Sequence, residues 1–386
     1  MSHRARLFPA LALLLAAVVA IALTVATGGP AGAVVSATPD WGNNPPCQAN
    51  GRVIAVAYSG DTLFLAGDFS LVGGQSRNNL AACNATSGAV LGWNPNANGP
   101  VRAIKVSNGG RVYVGGDFTS VGGAARSRIA SLSPASGATY GFNPGVNNSV
   151  KALTFSNSGS TLYAGGDFGS AAGATRSRLA AFNATTGALT SLAPSISNGT
   201  AFATVLSMDV SADGTTLYFA GDFARVSGSS RRNAAAVSSG VGSLRAWNPS
   251  STGDVVGELT LSTSGRTVFV GGRATGGYVQ AYGPTTGGAP VWNVQANGDV
   301  EALAIISSTL YVGGHFTNLG GTARNHLAAM SASGSVIGSW NPIADGALGA
   351  FGAAITSSRV AFGGEFDHVG NPSQTHQGIV QFSGAA

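Results

Sequence analysis

Apolar and polar positions alternate in short runs along most of the chain after residue 33, and turn residues separate these runs. The stretch 101–144 shows the pattern best, with runs at 101–106, 111–118, 127–132 and 138–144. Short alternating runs bounded by Gly, Pro, Asn and Ser indicate β-strands joined by tight turns. Four such strands with no helix-length apolar period predict one blade of a β-propeller.

This unit returns at intervals of about fifty residues, the period of a repeat array. One marker is the aspartate of a Gly-Gly-Asp-Phe motif and the residues that replace it: Asp68, Asp117, Asp167, Asp222, Arg273, His315 and Glu365. A second marker is an aromatic-Asn-Pro motif or its remnant: Trp41, Trp93, Phe142, Leu192, Trp247, Trp292 and Trp340. Seven copies of each predict an all-β fold, a single seven-bladed β-propeller of four-stranded blades.

The last repeat stops after its third strand, whereas the Trp41 copy of the second marker precedes the first repeat. An N-terminal strand is therefore expected to complete the last blade and close the ring, which removes two open sheet edges. The expected propeller spans 34–386. Its blades lie roughly at 50–96, 100–145, 149–195, 203–250, 254–294, 299–343, and 348–383 together with 37–45.

The first 33 residues have the pattern of a secretory signal peptide. Arg4 and Arg6 precede an apolar run, and Ala-Gly-Ala at 31–33 is a small-residue cleavage site. An uncleaved signal anchor is the alternative, because the run is nearly long enough to span a bilayer. We expect a protein secreted or held at the cell surface, without membrane contact after cleavage.

Composition supports a globular all-β protein. Only 9% of residues are charged, far below the roughly 25% of an average domain, and glycine is abundant. The net charge of +5 comes mostly from arginines spread through the repeats, and lysine occurs only at Lys105 and Lys151. No basic patch or nucleic-acid motif is present in the sequence, so we expect no nucleic-acid partner.

The two cysteines, Cys47 and Cys83, leave two alternatives open. A lone pair in a secreted protein usually forms a disulfide. The expected topology opposes this, because it places the two residues at opposite ends of the blades, beyond the roughly 7 Å limit between Cα atoms.

Most repeated polar and aromatic residues are expected to be structural, since a catalytic residue is needed only once. Each repeat aspartate is expected to pair with the arginine nine residues on, at the other end of the same loop. The arginines concerned are Arg77, Arg126, Arg176, Arg231 and Arg324. The five tryptophans are expected to pack between neighbouring blades, with each indole N–H bonded nearby.

Departures from the repeat are the functional candidates. His315 and Glu365 replace the aspartate in repeats six and seven, and His326 and His368 lie close to them in sequence. Together these four residues form a candidate ligand site on one sector of the rim, where a His and acid cluster is suited to bind metal or transfer protons. The alternative is decay of the repeat, and the sequence has no close metal-binding spacing. Arg102, Lys151 and Glu301 occupy equivalent first-strand positions and are expected to face the central channel.

The motif Leu-Tyr-x-Gly-Gly-Asp-Phe, followed by Arg, Leu-Ala-Ala and Trp-Asn-Pro, resembles the bacterial delta-60 repeat β-propellers of secreted and surface proteins. It is more distantly similar to fungal cell-polarity propellers. The resemblance covers nearly the whole chain after residue 33. It implies a propeller and an extracellular setting, and it implies no catalytic residue. The Ala-Thr-Thr-Gly and tryptophan elements also resemble the blades of quinoprotein dehydrogenases.

Three functions follow from these patterns. The favoured one is a non-catalytic module that binds a surface protein or polysaccharide, or serves as a scaffold, with no catalytic residue, metal or cofactor. The second is an extracellular hydrolase or lyase using the His and acid cluster. The third is a quinoprotein-like propeller, for which the sequence shows no cofactor site.

Overall fold

The computed structural model describes residues 34–199, 202–250, 255–273 and 276–384. The signal peptide expected at 1–33 lies outside these ranges. The described residues form strands and turns and contain no helix. Accordingly, none of them belongs to a helix long and apolar enough to cross a membrane.

Seven antiparallel sheets follow one another at the spacing of the sequence repeat, and we number them repeats one to seven. Each has a first, a middle and a third strand in chain order, with the middle strand paired to both others. The first strands are Arg52–Ser59, Val101–Val106, Val150–Phe155, Thr204–Val210, Val256–Leu261, Val300–Ile306 and Gly349–Ile355. The middle strands are Thr62–Asp68, Val112–Gly116, Thr161–Gly166, Thr216–Asp222, Val268–Gly272, Thr309–Gly314 and Arg359–Glu365. The third strands are Leu80–Asn84, Ile129–Leu132, Leu179–Asn183, Ala234–Ser238, Tyr278–Tyr282, Leu327–Ser331 and Ile379–Ser383.

The glycine-rich loop between middle and third strands forms a small hairpin in six repeats. These hairpins are Leu71–Val72 with Gln75–Ser76, Ser120–Val121 with Ala124–Ala125, Ser170–Ala171 with Ala174–Thr175, Arg225–Val226 with Ser229–Ser230, Asn318–Leu319 with Thr322–Ala323, and His368–Val369 with Gln374–Thr375. Three short strands add two further pairings outside the repeats' main sheets: Ile196–Ser197 pairs with Arg225–Val226, and Asn248–Pro249 pairs with Gly287–Gly288. The hairpins extend these six repeats beyond their sheets.

The prediction of four-stranded blades holds for one repeat of the described chain. In repeat five, Trp292–Gln295 pairs with the third strand as a fourth strand. Elsewhere the corresponding segment makes at most an isolated bridge, such as Cys83 with Val90. Proline explains the difference. The proline of the Trp-Asn-Pro motif has no backbone N–H to donate to the neighbouring strand, whereas repeat five has Val294 at this position.

The hydrophobic core is divided among layers between neighbouring repeats. Phe64 and Trp93 of repeat one, for example, pack with Val101 and Phe118 of repeat two, and all four are buried. Each tryptophan indole N–H donates to a backbone carbonyl of the following layer: Trp41 to Ala85, Trp93 to Ser133, Trp247 to Gly283, Trp292 to Ala332 and Trp340 to Ser36. These tryptophans therefore join successive sheets.

The segment before repeat one lies beside the last strand of repeat seven. The backbone N–H of Asp40 donates to the carbonyl of Gln381 at 2.8 Å, and that of Ala49 donates to Gln377 at 3.0 Å. The Asp40 carboxylate accepts hydrogen bonds from the side chains of Gln381 and Ser383. The N-terminal segment is thus bonded to the final sheet of the described chain.

Cys47 and Cys83 are joined in a disulfide with 6.2 Å between their Cα atoms, so the topological argument against pairing was wrong. The segment from Trp41 to Ala49 runs alongside repeat one rather than stopping at one face. The Trp41 indole contacts the Ala85 carbonyl at one end of the segment, and Ala49 bridges Val72 at its other end. Cys47 therefore passes the third strand of repeat one, where Cys83 lies.

Candidate functional site: the central cavity

A β-bulge interrupts the first strand of every repeat at the same position. In each case one residue of the first strand is left out of the register with the middle strand. The seven bulge residues are Ile54, Arg102, Lys151, Leu206, Gly257, Glu301 and Phe351. All of them line one cavity of about 280 Å³, which we call the central cavity. Bulges redirect side chains next to binding sites, so this repeated irregularity marks the central cavity as the candidate site.

Repeats two and three give this cavity a wall of ion pairs. The Arg102 guanidinium lies 2.6 Å from the Asp117 carboxylate, and the Lys151 ammonium lies 2.8 Å from that of Asp167. Burial of Asp117 opposes its ionisation. The hydrogen bond and the positive charge of Arg102 nevertheless hold the pKa of Asp117 below its usual value. In both repeats the cation stands at the bulge and the acid directly follows the middle strand.

Repeats five and six reverse these charges. Arg273 takes the position of the repeat aspartate, and its guanidinium lies 2.6 Å from Glu301 at the bulge of repeat six. Burial raises the pKa of Glu301, and the positive charge of Arg273 offsets only part of that effect. Whereas the pairs in repeats two and three lie within one sheet, Arg273 and Glu301 bind two sheets together.

Two further charged residues that line the cavity, Lys105 and Glu258, make no ion pair within the described part of the chain. Glu258 follows the bulge of repeat five and accepts a hydrogen bond from the Ser207 hydroxyl at 2.9 Å. Burial raises the pKa of Glu258 to about 7. Burial also raises the pKa of Asp209, although the N–H of Leu261 and the charge of Lys105 act against it. Among the described residues Lys105 lies within 4 Å of no carboxylate, yet its charge acts on both acids.

The rest of the central cavity is apolar. Ile54 and Phe351 line it from repeats one and seven, and Leu206 and Met208 line it from repeat four. Gly352 has no room for a side chain, because a Cβ there would lie 2.5 Å from the Ile54 carbonyl oxygen. The cavity therefore combines a charged wall with an apolar wall.

The expected pairing of each repeat aspartate with the arginine nine residues on is wrong. Arg126 donates instead to the backbone carbonyls of Ala125 and Tyr140, while Asp117 binds Arg102. The other four repeat arginines also donate to a backbone carbonyl 13 or 14 residues further along the chain. The pairs are Arg77 with Leu91, Arg176 with Thr190, Arg231 with Arg245, and Arg324 with both Ile337 and Gly338. The hairpin carries each arginine outward toward the segment after the third strand, whereas the aspartate ends beside the first strand.

The structure places the four rim candidates in three separate contacts. The rings of His315 and His326 stack with 6.1 Å between centroids, and the Nδ1 atom of buried His326 lies 3.1 Å from the Gly314 carbonyl oxygen. Glu365 binds Arg52 instead, at 2.5 Å. His368 binds the carboxylate of Asp345, with 2.7 Å between Nδ1 and Oδ2. Within the described ranges no three His, Cys, Asp or Glu side chains are grouped to hold a metal ion.

Glu365 also lines a cleft of about 520 Å³ between repeats seven and one, together with Arg52, Asp68, Asp367 and Gln377. The Arg52 and Glu365 side chains that pair there are 51% and 39% exposed, so water screens this ion pair more than those of the central cavity. The cleft is consequently a weaker candidate than the central cavity.

Sequence reasoning found only part of the central cavity. Arg102, Lys151 and Glu301 do line it, as their equivalent positions suggested. Lys105 and Glu258 were missed. Comparison of the repeats in the sequence could have identified Glu258. In the other six repeats the residue after the bulge is small: Ala55, Ala103, Ala152, Ser207, Ala302 and Gly352. A large acid at a position of small residues indicates a use beyond packing.

Comparison with known proteins bears on the fold. A family model described as "domain of unknown function (DUF5122) beta-propeller" matches residues 110–137. None of the curated proteins matches the chain. The crystal structure of the computationally designed Ika8 protein is similar with a TM-score of 0.53 and 11% identity, covering 90% of this chain and 99% of that one. At this identity the likeness concerns the fold alone. Together with the repeated sheets, the family model supports a β-propeller fold built from repeats. The resemblances to delta-60 repeat propellers and to fungal cell-polarity propellers stay predictions.

Proposed function

We propose that this chain is a secreted, non-catalytic β-propeller that binds a protein or glycan at the cell surface. In this proposal its seven repeats form a closed ring, and the ligand enters the central cavity at the end where the first strands begin. The observation that carries the proposal is the convergence of seven bulge residues on one cavity. Pockets that bind small ligands combine apolar walls with a few polar groups, as this cavity does.

Contacts around the repeats support the closed ring. The first strand of each repeat contacts that of the next, and the first strand of repeat seven contacts that of repeat one. The bonds from Asp40 to Gln381 and Ser383 add a connection through the N-terminal segment. A ring that is closed in this way holds its cavity in one shape, which lowers the entropic cost of binding.

The ion pairs support binding for a related reason. Arg102, Lys151 and Glu301 each have a charged partner within 2.8 Å, so their side chains are held in place before a ligand arrives. Polar groups that are fixed in advance bind with less loss of side-chain freedom. The repeated ion pairs thus favour a preformed recognition surface.

Two features support secretion. The residues 1–33 have the sequence of a signal peptide, and the disulfide between Cys47 and Cys83 is of a kind that persists in oxidising compartments. Mass spectrometry of culture medium and cell-wall fractions tests this part. We expect a protein whose N-terminus lies close to residue 34, and a protein confined to the cytoplasm would contradict it.

A binding screen tests the function itself. The purified protein is applied to a glycan array and to isolated cell walls, and Phe351→Asp and Arg102→Glu are compared with it. Arg266→Glu is the control, because it reverses an exposed charge in the turn between first and middle strands of repeat five. We expect both cavity variants to lose at least about tenfold in affinity while the control binds normally. Equal binding by all four proteins, or no binding to any surface, would refute the proposal.

A further inference from the structure

Positive side chains are grouped in one part of the central cavity. Among the described residues that line it, repeats two and three contribute three cations, Arg102, Lys105 and Lys151, and no acid. Asp117 and Asp167, which pair with Arg102 and Lys151, are not part of this lining. We call the three cations the cationic sector, and it presents N–H donors to the cavity.

The cationic sector keeps donors for a ligand. Arg102 holds one oxygen of Asp117 with Nε at 2.7 Å and one terminal nitrogen at 2.6 Å, so its other terminal nitrogen is left over. Arg102 and Lys151 are 37% and 24% exposed, whereas the acids that hold them are 27% and 12% exposed. Lys105 is exposed and makes no ion pair within the described part of the chain. The acids thus fix two of the cations, and all three stay accessible from the cavity.

Apolar side chains flank the cationic sector on both sides. Ile54 lines the cavity from repeat one, and Leu206 and Met208 line it from repeat four. The first strand of repeat one contacts that of repeat two, and the first strand of repeat three contacts that of repeat four. Phe351 continues the apolar surface from repeat seven, whose first strand contacts that of repeat one. An anion bound by the cationic sector therefore has apolar surface next to it.

Glu258 supplies a hydrogen-bond acceptor beyond Leu206. It lines the cavity from repeat five, whose first strand contacts that of repeat four. Its Oε1 accepts a hydrogen bond from Ser207, and a carboxyl group has further lone pairs whether or not it is ionised. The other acid of the described lining, Glu301, is engaged by Arg273 at 2.6 Å. Glu258 is thus the acid placed to accept from a ligand.

We propose that the central cavity binds the C-terminal end of a partner's polypeptide chain whose last residue is apolar. Its terminal carboxylate binds Arg102 and Lys151, since guanidinium and ammonium groups make strong charge-assisted hydrogen bonds to carboxylates. Its last side chain packs on the apolar residues beside them, and its backbone N–H groups donate to Glu258.

The combination of features selects this ligand. A uronic acid has a carboxylate but no apolar side chain, and an aliphatic acid has no donor for Glu258, whereas a chain end has all three groups. A free carboxylate also occurs only once in each chain, so its recognition fixes the direction in which the partner enters. The assignment rests on the proposed binding function and narrows the ligand from a protein or glycan to a protein chain end.

The first test compares peptides with a free and an amidated C-terminus. Fluorescein-labelled octapeptides ending in Leu, Phe, Val or Asp are titrated with the purified full chain, and binding is followed by fluorescence anisotropy. We expect a free acid with an apolar last residue to bind at least about tenfold more tightly than its amide, since charge-assisted hydrogen bonds are lost in the amide. No binding by any free acid, or equal affinity of acid and amide, would overturn the assignment.

Competition separates chain ends from other carboxylates. N-acetyl-leucine, galacturonate, hexanoate and inorganic phosphate are each used to displace the bound peptide. We expect N-acetyl-leucine to be the most effective of the four, because it alone carries the carboxylate, the apolar group and the N–H. Stronger displacement by any of the other three would assign the cavity to a different class of anion and end this proposal.

Variants locate the carboxylate in the cavity. The double variant Arg102→Gln with Asp117→Asn removes one ion pair as a whole, so no charge is left unpaired. We expect it to lower the preference for acid over amide at least about fivefold, and Lys105→Met to lower it about two- to fivefold, because exposed charges are screened. Arg266→Met, an exposed cation elsewhere, is the control. An undiminished preference in the folded double variant would place the carboxylate outside the cationic sector.

A further test uses the unmodified protein. Its only lysines are Lys105 and Lys151, and both line the cavity. Acetylation with a water-soluble reagent, followed by peptide mass spectrometry, measures them separately in the presence of a lysine-free peptide. The free acid at saturating concentration is expected to slow acetylation of both lysines at least about threefold, and its amide at the same concentration to have a smaller effect. Equal rates with and without the free acid would count against the assignment.

The two proposals fail in different ways. If isolated cell walls or glycans bind the protein and Phe351→Asp weakens this, but no peptide with a free C-terminus binds, only the chain-end assignment fails. If the protein binds neither cell walls, glycans nor peptides, the proposed function fails with it.

Discussion

Arg273, which directly follows the middle strand of repeat five, forms an ion pair of 2.6 Å with Glu301 in the first strand of repeat six. Glu301 is 11% exposed and Arg273 is 34% exposed, so the pair is only partly screened by water. Loss of one partner leaves the other charge in the cavity wall, which is costlier than losing both.

Exchange of these two charges tests the pair. We expect Arg273→Glu and Glu301→Arg each to lower the free energy of unfolding by about 1–3 kcal/mol, because each places like charges together in a partly buried site. The double variant is expected to recover at least half of the combined loss. Urea unfolding of all four proteins measures the coupling, and strictly additive losses would show that the contact contributes nothing.

His376 makes stability depend on pH. Its ring is fully buried beside the N-terminal segment, and this burial lowers its pKa from 6.5 to about 4, with the backbone of Gly42 offsetting part of the effect. Between these values the unfolded chain binds more protons than the folded one, so stability is full above pH 6.5 and falls as pH drops toward 4. The expected loss through this group is about 3 kcal/mol.

Urea unfolding at pH 7 and pH 4.5 measures this effect. In His376→Leu the loss of unfolding free energy between pH 7 and pH 4.5 is expected to be smaller than in the parent protein, because leucine fills the site and does not titrate. His368→Gln is the comparison, since His368 is exposed and paired with Asp345 at the surface. An identical drop in His376→Leu and the parent protein would assign the acid sensitivity to other groups.

The disulfide between Cys47 and Cys83 closes a loop with a sequence separation of 36. On the chain-entropy account, a loop of this length stabilises the folded state by roughly 3–4 kcal/mol. Double replacement of both cysteines by serine is expected to lower the free energy of unfolding by a similar amount or less. Unfolding with and without reductant, together with non-reducing peptide mapping, checks this. Stability that is insensitive to reductant, with two free thiols found, would contradict the pairing.

The contact between Asp40 and Gln381 tests whether the N-terminal segment fastens the last sheet. The Gln381 amide donates to the Asp40 carboxylate at 2.6 Å, and the Ser383 hydroxyl donates to the same carboxylate at 2.9 Å. We expect Asp40→Ala to destabilise the protein by about 1–2 kcal/mol and to speed hydrogen exchange in the strand Ile379–Ser383. Asp213→Ala, in a surface turn, provides a matched control. Exchange that is unchanged in this strand would argue against a closed ring.

The sequence by itself determined the local elements of this protein. Alternating runs, glycine turns and the regular return of Gly-Gly-Asp-Phe identified most of the strands and the propeller fold, because strand and turn preferences act between near neighbours. The role of the tryptophans followed from the same regularity. Even the missing fourth strands could have been foreseen, since proline stands where a ladder donor is needed.

Only the tertiary structure decided which distant residues meet. The partner of Asp117 is Arg102 rather than Arg126, and Cys47 reaches Cys83, because the path of each loop and segment depends on packing between sheets. The central cavity arose in the same way. A bulge shifts one residue in each of seven strands, and only the arrangement of the strands in space brings Lys105 and Glu258 to one cavity. Local sequence patterns carry no record of such distances, since register and packing are settled by the whole fold.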